Sequence, residues 1–428
     1  MNRHIERPAH DATSGERRHV PLWMLALFAL SGTLGMHIFV PALPNAAADL
    51  KSPPGALQLT ISLYIAGLAI GQLVYGPVSD RLGRRPTLIG GLILFTVSGL
   101  AASLAQSVDT LIVARLFQAL GGCAGLVLAR AIVRDTAAAH EATQRLAVMN
   151  LMVTVGPGIA PIVGGLLAGL FGWRAVFIAL CALGAANALC AWRLLPETGV
   201  KQASGGGAEV VRNYRQLLAS PAFVGYAIGG GCATTSLYAF VACAPFIIVD
   251  QLHRPESEIG FTLAILVSGV WFGSVLTSRL VVRFALKRFL VAVNGLSVAA
   301  AFALLAVVLT GHLSLAALVG LMLVYNVGVG AAAPTALVQA ISVNRHAVGS
   351  ASGLYGFAQM AVGAALTALA GLGHDPALAA AIVLTLAGVV AQASFWIAIR
   401  YEKRQFLFAE EERGQRAPLP ACGERPGG

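Results

Sequence analysis

The sequence predicts an all-α membrane protein. Twelve transmembrane helices are expected in two pseudo-symmetric six-helix bundles, with both termini cytoplasmic. Three observations predict this. First, hydrophobic residues make up 57% of the 428 and charged residues 11%, with a mean hydropathy of +0.76, whereas a soluble domain carries about 25% charged residues. Second, 25 of the 29 lysines and arginines fall on one side of the helices once these are laid out. Third, the chain matches itself weakly at an offset of 202 residues.

Apolar stretches of 18 or more residues recur along the whole length, each able to cross roughly 30 Å of hydrocarbon as a helix. They run over 21–43, 56–79, 86–106, 109–133, 145–170, 173–195, 221–248, 259–281, 288–310, 314–341, 347–372 and 376–399. Residues 1–20 read as a polar, arginine-bearing cytoplasmic tail before an uncleaved first helix. A cleaved leader is the rival, but an apolar run of about 22 residues is too long for its core. The N-terminal bundle is expected over 21–195, a linker over 196–220, the C-terminal bundle over 221–399 and a short charged tail over 400–428. The linker's "SGGG" predicts flexibility and a cytoplasmic location.

Only Lys51, Arg174 and Arg254 lie outside, and Arg115 sits within a helix. This asymmetry fixes N-in, C-in. The net charge of +10 then reflects insertion and anionic lipid at the inner face, so no nucleic-acid partner is expected. The six cysteines, five of them in helices, lack metal-ligand or disulfide spacing and read as small buried hydrophobes. No metal and no cofactor is expected. The 202-residue shift lays Gly71, Arg81 and Arg85 on Gly273, Arg283 and Lys287. Two parallel six-helix halves with substrate bound near the midplane between them describe a secondary transporter that rocks.

The loop after the second helix, "GPVSDRLGRRP" (76–86), carries readable chemistry. Gly76 is expected to let a neighbouring helix approach, Asp80 offers a carboxylate at a helix end, and Gly83 permits the turn. Arg81, Arg84 and Arg85 also suit the positive-inside bias. These residues resemble the signature of the major facilitator superfamily, Gly-x-x-x-Asp-Arg-x-Gly-Arg-Arg. The resemblance implies that Asp80 bonds the positive N-terminal end of the eleventh helix, near Val348, and holds the inner gate shut. An anion there is worth roughly 0.3–2 kcal/mol, enough to bias a two-state equilibrium without locking it.

Further stretches resemble the drug–proton antiporter branch of that family. "RLFQALGG" (115–122) is similar to the fourth-helix motif Arg-x-x-Gln-Gly, with Ala119 for glycine. An arginine inside a membrane helix is a functional candidate; snorkelling to the outer interface is the alternative. "GPGIAPIVGG" (156–165) resembles the fifth-helix antiporter motif. Gly156, Ala160 and Gly164 form one smooth face for close packing, Pro157 and Pro161 remove donors, and Gly165 completes the pattern, with Ala160 replacing a glycine. In relatives this element accompanies export. "FVPALP", "ARAIVRD", "FGWRAVF" and "LPET" extend the resemblance to bicyclomycin and chloramphenicol exporters. It covers the N-terminal half, and the C-terminal half matches by topology alone.

None of the 19 acidic residues lies deep in a predicted helix. His37 stands where those exporters usually carry an aspartate, about 24 Å up the first helix. With an ordinary pKa near 6.5, a histidine crosses the working range under modest perturbation. His37 is therefore the first candidate for proton coupling and Asp135 the second; a neutral histidine bonded to a neighbouring helix is the plain alternative. Asp80, Arg84 and Asp135 form a plausible latch. The pore of this fold is lined by helices 1, 4, 7 and 10, so the cavity candidates are His37, Arg115, Gln118, Thr234, Thr235, Tyr238, Tyr325 and Asn326. Interhelical hydrogen bonds would satisfy these polar groups equally well.

An enzyme is not expected. "GSASG" (349–353) superficially resembles an intramembrane serine protease motif, but His374 would lie a membrane's thickness away, beyond general-base reach. No phosphate-binding loop or zinc signature occurs. The expectation is a monomeric, proton-coupled exporter of small amphipathic compounds in a bacterial inner membrane. A proton-coupled metabolite symporter of the same fold is the alternative.

Overall fold

The computed structural model describes residues 20–137, 139–199, 206–280, 283–343 and 348–415. Nearly all of the expected N-terminal tail, the middle of the linker and the last part of the C-terminal tail, with Cys422, lie outside these residues. Among the described residues, twelve helical segments are long and apolar enough to span a bilayer.

The first span comprises α1 (Leu22–His37), a 3-10 turn (Val40–Ala42) and α2 (Leu43–Asp49). Then come α3 (Pro54–Leu82), α4 (Arg84–Ser103), α5 (Val108–Thr136), α6 (Ala139–Phe171) and α7 (Trp173–Leu194), followed by α8 (Gly206–Leu218) in the linker. The seventh span is α9 (Pro221–Thr235), α10 (Leu237–Phe246) and a π turn (Ile247–Gln251). The chain ends in α11 (Ser257–Leu280), α12 (Leu286–Leu309), α13 (Leu315–Ser342), α14 (Val348–Gly371) and α15 (Pro376–Gln415). A shift of 202 carries the start of α4 onto the start of α12.

Three expectations about elements need correction. The first helix is not continuous, because Pro41 and Pro44 lack backbone donors, and the chain tightens at "VPALP" before resuming. The linker is not wholly flexible, since α8 forms beside the start of the second half and seats the buried Leu217. The twelfth helix runs past residue 399, where Glu402 is tied to the Tyr226 hydroxyl at 2.9 Å and to Lys287 at 2.5 Å.

The buried apolar residues divide unequally between the two membrane faces. One core occupies the side that the charge bias assigns as outer and draws on both halves, from Phe39, Ile61 and Phe177 to Phe240, Leu266 and Leu384. On the inner side there are two. One, around Phe28, Leu88 and Ile132, belongs to the first half. The other, around Phe223, Leu290 and Phe395, belongs to the second and takes only fringe contacts such as Leu73 from the first. The halves are thus sealed outside and parted inside.

Helix backbones meet at glycine, as expected where lipid supplies no drive for association. A Cβ on Gly125 would overlap the Phe28 carbonyl, and one on Gly273 the Val327 carbonyl; Gly90 has open space. At the outer face Asp49 accepts from the Trp173 indole at 3.1 Å and from Arg174 at 2.5 Å, and Arg174 also reaches the Ala105 carbonyl. This ties the end of the first span to the "FGWR" entry of α7.

Two outcomes follow. Gly125→Ala should destabilise the detergent-solubilised protein by about 1–3 kcal/mol, read as lowered thermal unfolding, while Gly90→Ala, with open space for its Cβ, should not lower it. Asp375 caps α15 by accepting from Leu378 N–H at 3.0 Å and from the Gln251 amide at 2.7 Å. Burial pushes its carboxyl up, but these bonds and one from Ala377 N–H hold it below the usual carboxylate range. The stabilisation is then complete above about pH 4 and lost as pH falls further. Asp375→Asn should flatten that acid limb of the stability profile.

Candidate functional site

His37 is the last residue of α1, at the break, and is buried. Its Nδ1 lies 2.9 Å from the Thr33 carbonyl. A carbonyl only accepts, so Nδ1 carries a proton whatever the charge state, and Nε2 is the nitrogen that titrates. The ring meets Tyr238 edge-on at 6.1 Å. Tyr238 belongs to α10, just past the break in the seventh span, so this contact crosses between the halves at two interrupted helices.

Arg115 does not snorkel. It is fully buried inside the first half, donating to the Gly35 carbonyl and to Gln118 Oε1, both at 2.8 Å. Its guanidinium lies 4.0 Å from the Tyr64 ring centre, with Phe39 at 5.5 Å and Phe177 at 5.7 Å. Those aromatic rings accept the cation over their faces. Nε and NH2 of Arg115 and Nε2 of Gln118 have no hydrogen-bond partner.

The expected cavity wall needs revision. Arg115 and Gln118 point into their own bundle rather than between the halves. Asn326 does the same in the second half, donating to the Leu266 carbonyl at 2.8 Å. Tyr325 shares a 2.6 Å hydrogen bond with Ser236 at the break of the seventh span. Thr234 accepts from the Gln359 amide at 2.7 Å, and Thr235 donates to the Gln359 carbonyl at 3.0 Å. The threonines, Tyr325 and one end of Asn326 find partners on other helices, the outcome that burial in hydrocarbon favours, while Asn326 Oδ1, like parts of Arg115 and Gln118, has none. Of the eight candidates, His37 and Tyr238 meet across the midline.

The fifth-helix motif packs as its spacing requires. Leu30 of α1 fills the position a side chain on Gly156 would take, the Ile38 carbonyl fills that of Gly164, and Ala160 is buried. Gly165 instead faces Pro41 and Gly260, and the Pro161 carbonyl lies against Gly260 of α11. Pro157 lies within α6.

At the inner face Gly83 turns the chain with φ +101°. Residues 344–347 and the side chain of Val348 lie outside the described residues, and among those described Asp80 has no bond to the eleventh helix. It pairs with Arg84 at 2.6 Å, and Arg84 also meets Asp135 at 3.0 Å, so the three expected latch residues do come together. Parting of the inner ends leaves Asp80 facing a recess, with Arg84 as its partner. Nothing lies within 4 Å of a Cβ on Gly76, so the expected close approach is absent in this conformation. Arg81 is exposed, and Arg85 donates to the Trp192 carbonyl.

Sequence reasoning missed Glu197 of "LPET". Its carboxylate accepts from the Arg84 N–H at 2.8 Å and the Arg85 N–H at 3.3 Å, capping α4 from across the half. Also missed were Gln359, and Gln72, which packs on Gly356 of α14. Only the acidic residue after the sixth helix left a readable signal. Among the described residues no group of three or more His, Cys, Asp or Glu is placed to hold a metal.

Two matched helical halves, sealed on one side and carrying interrupted helices at their midline, define a membrane transporter rather than an enzyme. Residues 24–368 match the family model of the Major Facilitator Superfamily, and the chain belongs to that family. It is 28% identical over 399 residues to an uncharacterised MFS-type transporter of Bacillus subtilis, covering 90% of this chain and 97% of the relative. It is 33% identical over 264 residues to a chloramphenicol resistance protein of Pseudomonas aeruginosa, 60% of each chain. It is 30% identical over 266 residues to multidrug resistance protein D of Escherichia coli, 62% of this chain and 66% of the relative. Among solved structures, a D-xylose–proton symporter superposes with TM-score 0.74 at 15% identity, covering 88% of this chain and 96% of the other. That likeness speaks to fold. The protein is a multi-pass protein of the bacterial inner membrane.

Replacing Glu197 by Ala should uncap α4 and lower stability by about 0.5–2 kcal/mol. Glu197→Gln should recover part of that loss in the same thermal-unfolding measurement.

Proposed function

We propose that the chain is a proton-linked exporter of small amphipathic compounds, acting as a monomer by alternating access, with protons as the counter-substrate and no nucleic-acid partner. The carrying observation is the junction of α1 and α6. The smooth face of the fifth-helix motif presses on the backbone just after His37, with the Ile38 carbonyl seated over Gly164. The element that accompanies export in resembling transporters is thus built against His37, the buried titratable side chain of the first span. The relatives' names, chloramphenicol and multidrug resistance, favour the same direction.

In this reading the sealed outer core and parted inner ends are the loading state. His37 takes a proton at Nε2, and its charge acts on the Tyr238 contact that closes the outer side. The buried Arg115, bonded to Gly35 two residues before His37, already places one cation nearby. Neutral or anionic substrates therefore suit the site better than cations. Asp135, held by Arg84, is the second candidate proton carrier, and the Asp80–Arg84–Asp135 cluster acts as the latch.

Expression in a pump-deficient bacterium should raise the tolerated dose of at least one drug several-fold, and Asp80→Asn should reduce the gain; unchanged susceptibility across a broad panel would refute export. In reconstituted vesicles, substrate should drive proton release from the wild type and not from His37→Asn. Equal release from both would remove the histidine from coupling. Accumulation of labelled solute down an imposed proton gradient would instead identify a symporter.

A further inference from the structure

We propose that the inner recess between the halves is a binding site for a small oxyanionic group, a phosphate or carboxylate, gripped by Arg130 and Arg134. The recess measures about 340 Å³ and is lined on one side by α3 and α5 and on the other by the first turns of α14, with Tyr214 of α8 at its edge.

Arg130 and Arg134 are one helical turn apart, so both project from one face of α5. Both are exposed and both line the recess. Neither has a hydrogen bond or an ion pair with any described residue, which sets them apart from Arg84, Arg115, Arg145, Arg174 and Arg254. The other charges nearby are Asp80, Arg84 and Asp135, and there the single guanidinium is already shared between two carboxylates. Two like charges at this spacing repel, and a bound anion removes the repulsion.

The opposite wall supplies compatible chemistry. Ser350, Ser352 and Gly353 belong to the N-terminal turns of α14 and face the recess. Unpaired backbone N–H groups and the positive helix end are found at such turns. Topogenic arginines need only lie on the inner side; they need not face a gap between domains.

An anion held here would touch α5 of one half and α14 of the other. The site exists only while the inner ends are apart, so the ligand favours that arrangement by its differential affinity. This inference does not depend on the direction of transport. Its ligand could come from the cytosol as a free anion or from the inner leaflet as an anionic lipid headgroup.

The test uses the full chain in nanodiscs of neutral phosphatidylcholine, titrated with inorganic phosphate at constant ionic strength against chloride, with binding read by calorimetry and thermal unfolding. Saturable phosphate binding is expected, weakened about tenfold or more by R130Q or R134Q, as loss of a charge-assisted bond requires. Arg81→Gln, on the same face but outside the recess, should bind as the wild type does. If phosphate is inert but phosphatidylglycerol in the disc stabilises the wild type and not R134Q, the site stands and its ligand is a headgroup. If neither anion separates the wild type from R134Q, or if Arg81→Gln loses as much, the proposal is overturned. R134Q lies at the exposed end of α5, so the reading survives even if R130Q fails to fold.

Discussion

A single apolar core joins the two halves, and it lies on one side of the membrane only. Phe39 and Phe177 from the first half and Phe240 and Tyr325 from the second belong to the same continuous cluster, while the inner ends each keep a core of their own. Every functional element is placed by that asymmetry. His37 and Tyr238 meet because the outer halves of the first and seventh spans are pressed together. Asp80 faces a recess because the inner ends share no apolar core and meet only through fringe contacts such as Leu73. Rocking would require this core to divide and an equivalent one to assemble on the inner side.

The first half carries a second constraint, the buried guanidinium of Arg115. Removing it from water is costly unless the cation is matched, and here the match is one carbonyl, one amide oxygen and three aromatic faces rather than a carboxylate. The Gly35 carbonyl that receives it lies in the last turn of α1, immediately before the break. The arginine therefore positions the backbone from which His37 projects and adds a fixed positive charge to its surroundings.

Much of the fold could be read from the residues because hydrocarbon thickness and charge bias act on them directly. Twelve spans, the 202-residue repeat and the small-residue face of α6 all appear as plain patterns. The breaks in the first and seventh spans did not, although "VPALP" held the necessary prolines, because hydropathy is blind to backbone direction. The site was less legible. Whether Arg115 or Asn326 faces the gap or its own bundle depends on the rotation of a helix about its axis, and small, evenly apolar helices leave that rotation undetermined until packing is known. Glu197 was hidden for another reason: its partners are backbone N–H groups 113 and 112 residues away, which no local pattern marks. Arg130 and Arg134 entered only through the inner-side charge bias and the "ARAIVRD" stretch, neither of which says which way they face.

The tie between Glu402, Tyr226 and Lys287 has a practical side. A carboxylate near the end of the final span fastens the start of α12, much as Glu197 fastens the start of α4 in the other half, so each bundle carries its own clasp on the same side. Anyone trimming this chain for crystallisation would therefore do well to cut beyond the clasp rather than at the point where the hydrophobic run stops.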